Sequence, residues 1–358
     1  MAAMPRITYA RSADGVSLAF TVSGEGPPVV FGPGMPFSNL RMEWENPLMR
    51  PIYEQLGRRL TLIQYDGRGT GHSQRDVADV SPAAMLSDLE AVVDRAGLTE
   101  FGLLGHYGSC MPALAYAARH PERVTRMALF GGAARGWDAM SSKETQVLLS
   151  LIEQDWNMFV DTAAHQWMGW FAGDAGRMTA DGFRRAATPH MARAILQALS
   201  VADVTEELER VSAPTLVLHR RGSPQIPIEV SHSLATDLPR GRLVMLEGTH
   251  PHLFLEDPDG VVKMLQDFFC DGIEPVGSSP ADVAEAVPGQ LGAPPGSLTG
   301  REVEILRLIA DGEKNAQIAR RLGLSTHTIE RHVANLYRKI DARGRADAAV
   351  YALRHGLG

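Results

Sequence analysis

From Asp271 to Leu298 the chain reads DGIEPVGSSPADVAEAVPGQLGAPPGSL, and the hydrophobic patterning on its two sides is of different kinds. The segment has no Lys or Arg, is rich in Pro, Gly, Ala and Ser, and shows little apolar periodicity. That composition makes a semi-flexible tether rather than a packed element. A chain interrupted in this way is expected to close around two cores. The expected division is a domain over 1–272, a linker over 273–297 and a second domain over 298–358.

Before the linker, short apolar runs alternate with amphipathic stretches. SLAFTVSG, PPVVFGPG, LTLIQYDGRG, FGLLGHYG, VTRMALFGG, APTLVLHRRG and GRLVMLEGTH read as strands, most ending in glycine turns. Between them, SPAAMLSDLEAVVDRAG and SCMPALAYAARHP read as helices, the first capped by Ser81 with Pro82 at its first position. Apolar strands separated by amphipathic helices predict a doubly wound, mostly parallel α/β sheet covered on both faces. From about 137 to 210 the pattern turns wholly helical, as a helical cap inserted between two strands would be.

After the linker, four short helices joined by glycine turns predict an all-α helix-turn-helix domain. Ile318, Leu322, Ile329, Val333, Leu336 and Ile340 recur at helical spacing and form its expected core. The formal net charge of -7 conceals an asymmetry. Residues 301–358 hold 11 Lys/Arg and 7 Asp/Glu, a net of +4, which leaves -11 on the remainder. A basic module on an acidic chain points to nucleic acid as the partner of the last sixty residues alone.

The segment LTGREVEILRLIADGEKNAQIARRLGLSTHTIERHVANLYRKI, with the terminal RADAAVYALRHGL, resembles the LuxR/GerE type of helix-turn-helix over its whole length. The core spacing puts Arg331, Asn335 and Arg338 on the outward face of the third helix, where Arg and Asn can read guanine and adenine edges. Thr326, Thr328 and Lys339 suit phosphate contacts. The resemblance implies that Glu330, Arg331 and Ala334 meet base edges, that the target is a double-stranded DNA operator, and that the unit acts as a homodimer on two half-sites. His332 is expected to pack against a neighbouring helix.

Residues 103–110, LLGHYGSC, have the form of a strand-to-helix turn that mounts a nucleophile, with Tyr107 at its tip. Together with QYDGRGTGHS, PTLVLHRRG and LEGTHPHLFLEDP, this segment makes residues 1–272 resemble the α/β-hydrolase superfamily. In that family the turn reads G-x-S-x-G, with small flanking residues because the backbone packs tightly. The resemblance assigns Tyr107 to the nucleophile position, Ser223 to the acid position and His250 to the catalytic histidine. Ser109 and Cys110 are the neighbours that could supply a displaced nucleophile, and Asp138 is the nearest alternative acid. A phenol with an ordinary pKa of about 10 is a poor nucleophile at neutral pH.

The changes at 107 and 223 imply a catalytically dead pocket that binds a small organic effector, partly apolar with a hydrogen-bonding group. The expected ligand contacts are Gly34, Met35, His106, Tyr107, Gly108, Trp137, Trp167, Trp170, Ser223 and His250. The cap residues Trp156, Met158, Met168 and Phe171 are equally readable as ligand surface or as cap packing. No receiver-type acidic pattern is present, which favours control by ligand over control by phosphorylation. No metal or cofactor is implied, and RNA polymerase is a further candidate partner. Two readings from other classes stand beside this one: an active hydrolase or cofactor-free lyase or oxygenase using His250, and a hydrolase-like fold serving only protein contacts. Two cysteines, no apolar signal core and no apolar run of spanning length fit a cytoplasmic location.

Overall fold

The computed structural model describes residues 4–136, 138, 143–168, 174–222 and 226–272, and in the C-terminal part 305–309, 313, 315–322, 329, 332–333, 336 and 348. The chain divides into two compact units, Met1–Val287 and Pro288–Gly358.

The larger unit is built on a sheet of eight strands: β1 (Thr8–Arg11), β2 (Ser17–Ser23), β3 (Pro28–Phe31), β4 (Thr61–Tyr65), β5 (Phe101–His106), β6 (Val124–Phe130), β7 (Thr215–Arg220) and β8 (Gly241–Leu246). Their order is β1-β2-β4-β3-β5-β6-β7-β8. The pairs β1·β2 and β2·β4 are antiparallel, and every pairing from β4·β3 to β7·β8 is parallel. This is the mostly parallel sheet that the apolar runs predict. β1 went unrecognised because TYAR is short and sits at the sheet edge, where Tyr9 is exposed.

Alternation along the strands sends side chains to two separate cores. Val30, Leu103, Leu129 and Val217 join one, with Val92 and Leu114 of the covering helices α3 (Pro82–Arg95) and α4 (Cys110–Arg119). Their neighbours Val29, Leu104, Ala128 and Leu216 join the other, with Ile52, Leu56 and Val262. The last three lie on α2 (Met49–Leu56) and α10 (Pro258–Gln266), and α9 (Ile228–Asp237) connects β7 to β8. Ser81 caps α3 as expected, its hydroxyl accepting the Ala84 amide at 3.2 Å. A short helix, α1 (Leu40–Glu45), precedes α2 and is capped by Asn39. The loop between β3 and β4 therefore holds two helices that its Pro-broken sequence did not announce.

Between β6 and β7 the described residues form the α-helices α5 (Lys143–Gln154), α6 (Trp156–Met168), α7 (Asp174–Ala186) and α8 (Pro189–Ser200). They share a small apolar core of Ile152, Phe159, Val160, Ala164, Ala180 and Phe183. Phe37, from the loop after β3, stacks on Phe183 with centroids 4.1 Å apart and so joins this cap to the sheet domain. No helix among the described residues is long and apolar enough to cross a membrane.

In the smaller unit, Ile318, Ile329, Val333 and Leu336 are buried together with Ile305, Leu306 and Ile309, and Leu322 packs against them. Residues 305–309 are helical, and α11 spans Asn315–Leu322. Five of the six residues assigned to this core from spacing are in it; Ile340 lies outside the described residues.

Candidate functional site

β5 ends at His106, residues Tyr107–Ser109 make one 3₁₀ turn, and α4 begins at Cys110. Tyr107 has a φ of 48° and is the one residue other than glycine with positive φ among those described. A non-glycine residue held there is strained by on the order of 1–3 kcal/mol, and such strain gathers at functional sites. The turn is locked by Ser109, whose Oγ accepts the His106 amide and donates to the His106 carbonyl, both at 2.9 Å. The strained elbow survives, but its tip is a phenol.

The phenol is already engaged. Its hydroxyl donates to the Pro251 carbonyl at 2.7 Å, and its ring meets Phe130 edge-on with centroids 5.7 Å apart. Gly131, at a φ of 60°, makes room for it: a Cβ there would lie 2.8 Å from Tyr107 Cε1. The two displaced-nucleophile candidates are held elsewhere. Ser109 is buried and spent on the turn. Cys110 is fully buried against the Phe130 carbonyl, and burial pushes its thiol far above the usual range. Asp138, the alternative acid, pairs with Arg135 at 2.9 Å.

The loop after β8 carries the histidines. Glu256 accepts the amides of Thr249 and His250, each at 2.9 Å, and pairs with Arg220 at 3.1 Å. Arg220, with its side chain 1% exposed, also donates to the carbonyls of Glu247 at 2.7 Å and Leu253 at 2.8 Å. Burial works against its charge, and Glu256 opposes that effect. The arginine and glutamate thus fix the loop's path. On that path His250 Nδ1 accepts the His252 amide at 3.0 Å, and His252 Nδ1 accepts the Phe254 amide at 3.3 Å. An Nδ1 that accepts from a backbone N–H carries no proton while the ring is neutral, so the proton of each neutral ring sits on Nε2. A triad histidine needs the opposite tautomer, with Nδ1–H given to the acid and Nε2 left as the base.

A cavity of about 860 Å³ opens above the elbow and beneath the cap. Gly34, Met35, His106, Tyr107 and Gly108 line it, as expected from the sequence. His250 is not among its lining residues; His252 is, because the loop turns between them and brings Pro251 and His252 inward. Ser223, Trp137, Trp170 and Phe171, and the side chains of Trp167 and Met168, lie outside the described residues. Of the remaining cap residues, Trp156 goes to packing, 5.4 Å from Phe159 and 6.3 Å from Phe37, and Met158 is exposed. Phe159, Phe183, Leu148, Leu149, Leu196 and Leu199 supply the apolar wall from the cap. Burial lowers His106 to about 4, and burial with the nearby His106, His250 and Arg220 lowers His252 to about 3, so both rings are neutral at physiological pH.

Glu43 and Tyr53 also line the cavity and were not singled out by sequence. Tyr53 donates to Glu43 Oε2 at 2.9 Å. Burial raises Glu43 to about 7, and it likewise raises Asp66, which accepts the Leu40 and His72 amides, to about 7. Both folded values lie above the unfolded ones, 4.5 and 3.8, so folding favours the protonated forms. The stability this contributes is whole below about pH 4 and is lost as pH rises through about 7. Melting temperature is expected to fall across that window, and Glu43→Gln is expected to flatten the fall. Identical slopes in the parent and variant melting curves would refute the assignment.

All eight positions expected to meet DNA, Thr326, Thr328, Glu330, Arg331, Ala334, Asn335, Arg338 and Lys339, lie outside the described residues. Their context comes from relatives. Residues 296–352 match the family of bacterial regulatory proteins of the luxR type, and residues 27–258 match the alpha/beta hydrolase fold. The transcriptional regulatory protein LiaR of Bacillus subtilis is 44% identical over 69 residues, 19% of this chain and 33% of that protein. A putative carbamate hydrolase RutD from a Caulobacter species is 28% identical over 203 residues, 54% of this chain and 74% of that protein. Among solved structures, an esterase from a Rhodococcus species superimposes with a TM-score of 0.63 at 21% identity, over 74% of this chain and 98% of that one. The enol-lactonase of Burkholderia xenovorans gives 0.61 at 23% identity, over 73% and 99%. The chain belongs to the alpha/beta hydrolase fold family and carries, fused to that domain, a DNA-binding helix-turn-helix of the bacterial luxR regulator family.

Proposed function

We propose that the chain is a ligand-responsive transcriptional regulator, in which the cavity of the hydrolase-fold domain holds a small organic effector without cleaving it. The observation that carries this is the elbow: its strained backbone is kept, yet the residue at its tip gives its hydroxyl to the Pro251 carbonyl at 2.7 Å. The tautomer of His250 supports the same reading, since its Nδ1 accepts a backbone amide where a triad would need a donor. A volume near 860 Å³ with a mostly apolar wall and a few polar groups suits a small molecule. A sensor gains from holding its signal intact. The effector regulates only by binding one arrangement of the protein better than another, and two copies of the basic module then meet two half-sites differently.

The test is a DNA-binding isotherm of the full chain with and without candidate effectors, in the parent and in Tyr107→Ala. An effector response unchanged by Tyr107→Ala would remove the cavity from the regulatory role. For the DNA contacts, Arg331→Ala is expected to relax base preference at a loss of about 1–3 kcal/mol. Lys339→Ala should weaken all sequences alike and reduce the salt slope by about one. Equal losses of both variants on specific and random DNA would defeat that division. The rival, a working hydrolase joined to a regulator, is favoured by the likeness to carbamate hydrolases. It requires ester or carbamate turnover that is lost in His250→Ala.

A further inference from the structure

Glu43 is a carboxyl on the wall of an apolar cavity, and no ion pair reaches it among the described residues. Its hydrogen-bond partner among the described residues is neutral, the Tyr53 hydroxyl on Oε2. Arg41 also lines the cavity, but it stands two residues away on α1, and i,i+2 side chains do not face each other on a helix. Asp66, a second buried carboxyl, lies near enough for the Glu43 charge to act on it and offers no counter-charge. A half-buried carboxylate that no Lys or Arg contacts among the described residues is costly to ionise, and groups with displaced titration gather at functional sites.

The surroundings of Glu43 are aromatic and fixed. Tyr53 packs on Trp44 at 5.4 Å between centroids and on Phe31 at 6.2 Å. Trp44 is anchored by its indole N–H to Gln64 Oε1 at 2.9 Å. Phe31 then meets His106, beside the elbow, at 5.2 Å. Phe31, Tyr53 and His106 all face the cavity, so Glu43 and the elbow belong to one continuous wall with ring faces between them. Carboxylate plus aromatic rings is the donor set that recognises a cationic nitrogen, by a charge-assisted hydrogen bond and by attraction to the rings.

Resting on the reading of this cavity as an effector site, we propose that Glu43 and the rings of Tyr53 and Phe31 bind a protonated amine, and that the effector is an amine on an apolar body. The ammonium supplies a counter-charge in direct contact with Glu43, which Arg41 and Arg185 on the same cavity wall do not, and the body occupies the wall formed by Phe159, Phe183 and Leu196. An alkylammonium keeps its charge at neutral pH, since its ordinary pKa is about 10.

The experiment is calorimetric titration of the full chain with three probes of one shape: 4-phenylbutylamine, 4-phenylbutanol and 4-phenylbutanoate. The amine is expected to bind about tenfold or more tighter than the alcohol, and the carboxylate weaker than both. Glu43→Gln, which keeps the shape of the side chain, is expected to abolish the amine's advantage and leave the alcohol's affinity within about twofold. Should that variant fold poorly, Glu43→Asp keeps the charge and must keep the preference. An amine no tighter than the alcohol, a preference that survives Glu43→Gln, or no binding of any probe up to about 10 mM overturns the proposal. A Glu43-dependent amine preference with DNA affinity unchanged at saturating amine leaves the site standing and sinks the regulatory reading instead.

Discussion

Replacing Arg68 by Ala is expected to destabilise the hydrolase-fold domain by about 3–5 kcal/mol, the range for removing one partner of a buried ion pair. Its side chain is 1% exposed and that of Asp88 is 2% exposed. Arg68 Nε and Nη2 grip the two oxygens of Asp88 at 2.9 and 2.7 Å, and Nη1 reaches Asp14 and the Asp79 carbonyl, both at 2.8 Å. The guanidinium holds Asp14 down at about 2. Truncation strands the Asp88 carboxylate in the core, where desolvation is the dominant influence on it. Loss of the loop after β4 would also release Asp66, which tethers the first amide of α1 at 2.9 Å and so places Glu43. Chemical denaturation of the parent, Arg68→Ala and Arg68→Ala with Asp88→Asn measures this. The double variant is expected to recover part of the loss, because the stranded charge is gone. A single variant within about 1 kcal/mol of the parent would show that the triad is not structural.

The second large effect concerns chemistry. Tyr107→Ser restores a hydroxyl at the elbow, yet its rate of ester cleavage is expected to stay within about tenfold of background. The imidazole of His250 would still carry its proton on Nε2, and a triad with the wrong tautomer loses about 10⁴ in kcat. Adding Ser223→Asp is proposed to supply an acceptor for Nδ1–H, at the position that the sequence resemblance assigns to the acid. The pair of substitutions is expected to exceed the single one by on the order of 10²–10⁴. Rates with p-nitrophenyl acetate, with His250→Ala as the control, decide it. Efficient cleavage by Tyr107→Ser alone would mean that an acid is already in place. Efficient cleavage by the parent would mean that the phenol is no obstacle.

The unevenness of what could be read in advance has a physical cause. Seven of the eight strands declared themselves; six of these pair in parallel, and parallel strands covered on both faces must be largely apolar. β1, with one edge open, carries no such obligation. The elbow was legible because backbone sterics impose small residues around it, whatever stands at its tip. α1 and α2 were not, since each is short and interrupted by proline or a loop signal, and tertiary contact decides their state. Glu43 stayed hidden for the same reason: one glutamate on an unrecognised helix looks like any solvated charge until the sheet and cap close over it.

His250 and His252 mark the division most sharply. Periodicity, glycine turns and the Pro/Gly-rich composition of 273–297 determine a capped α/β domain followed by a helical DNA-binding module, because local propensity and burial pattern are written residue by residue. Which imidazole faces the cavity, and on which nitrogen it holds its proton, depends on the paired Arg220 and Glu256, which hold the loop by its carbonyls and amides. The Arg220–Glu256 pair joins residues from β7 and from the loop after β8, more than thirty positions apart, and only the closed fold brings them into reach.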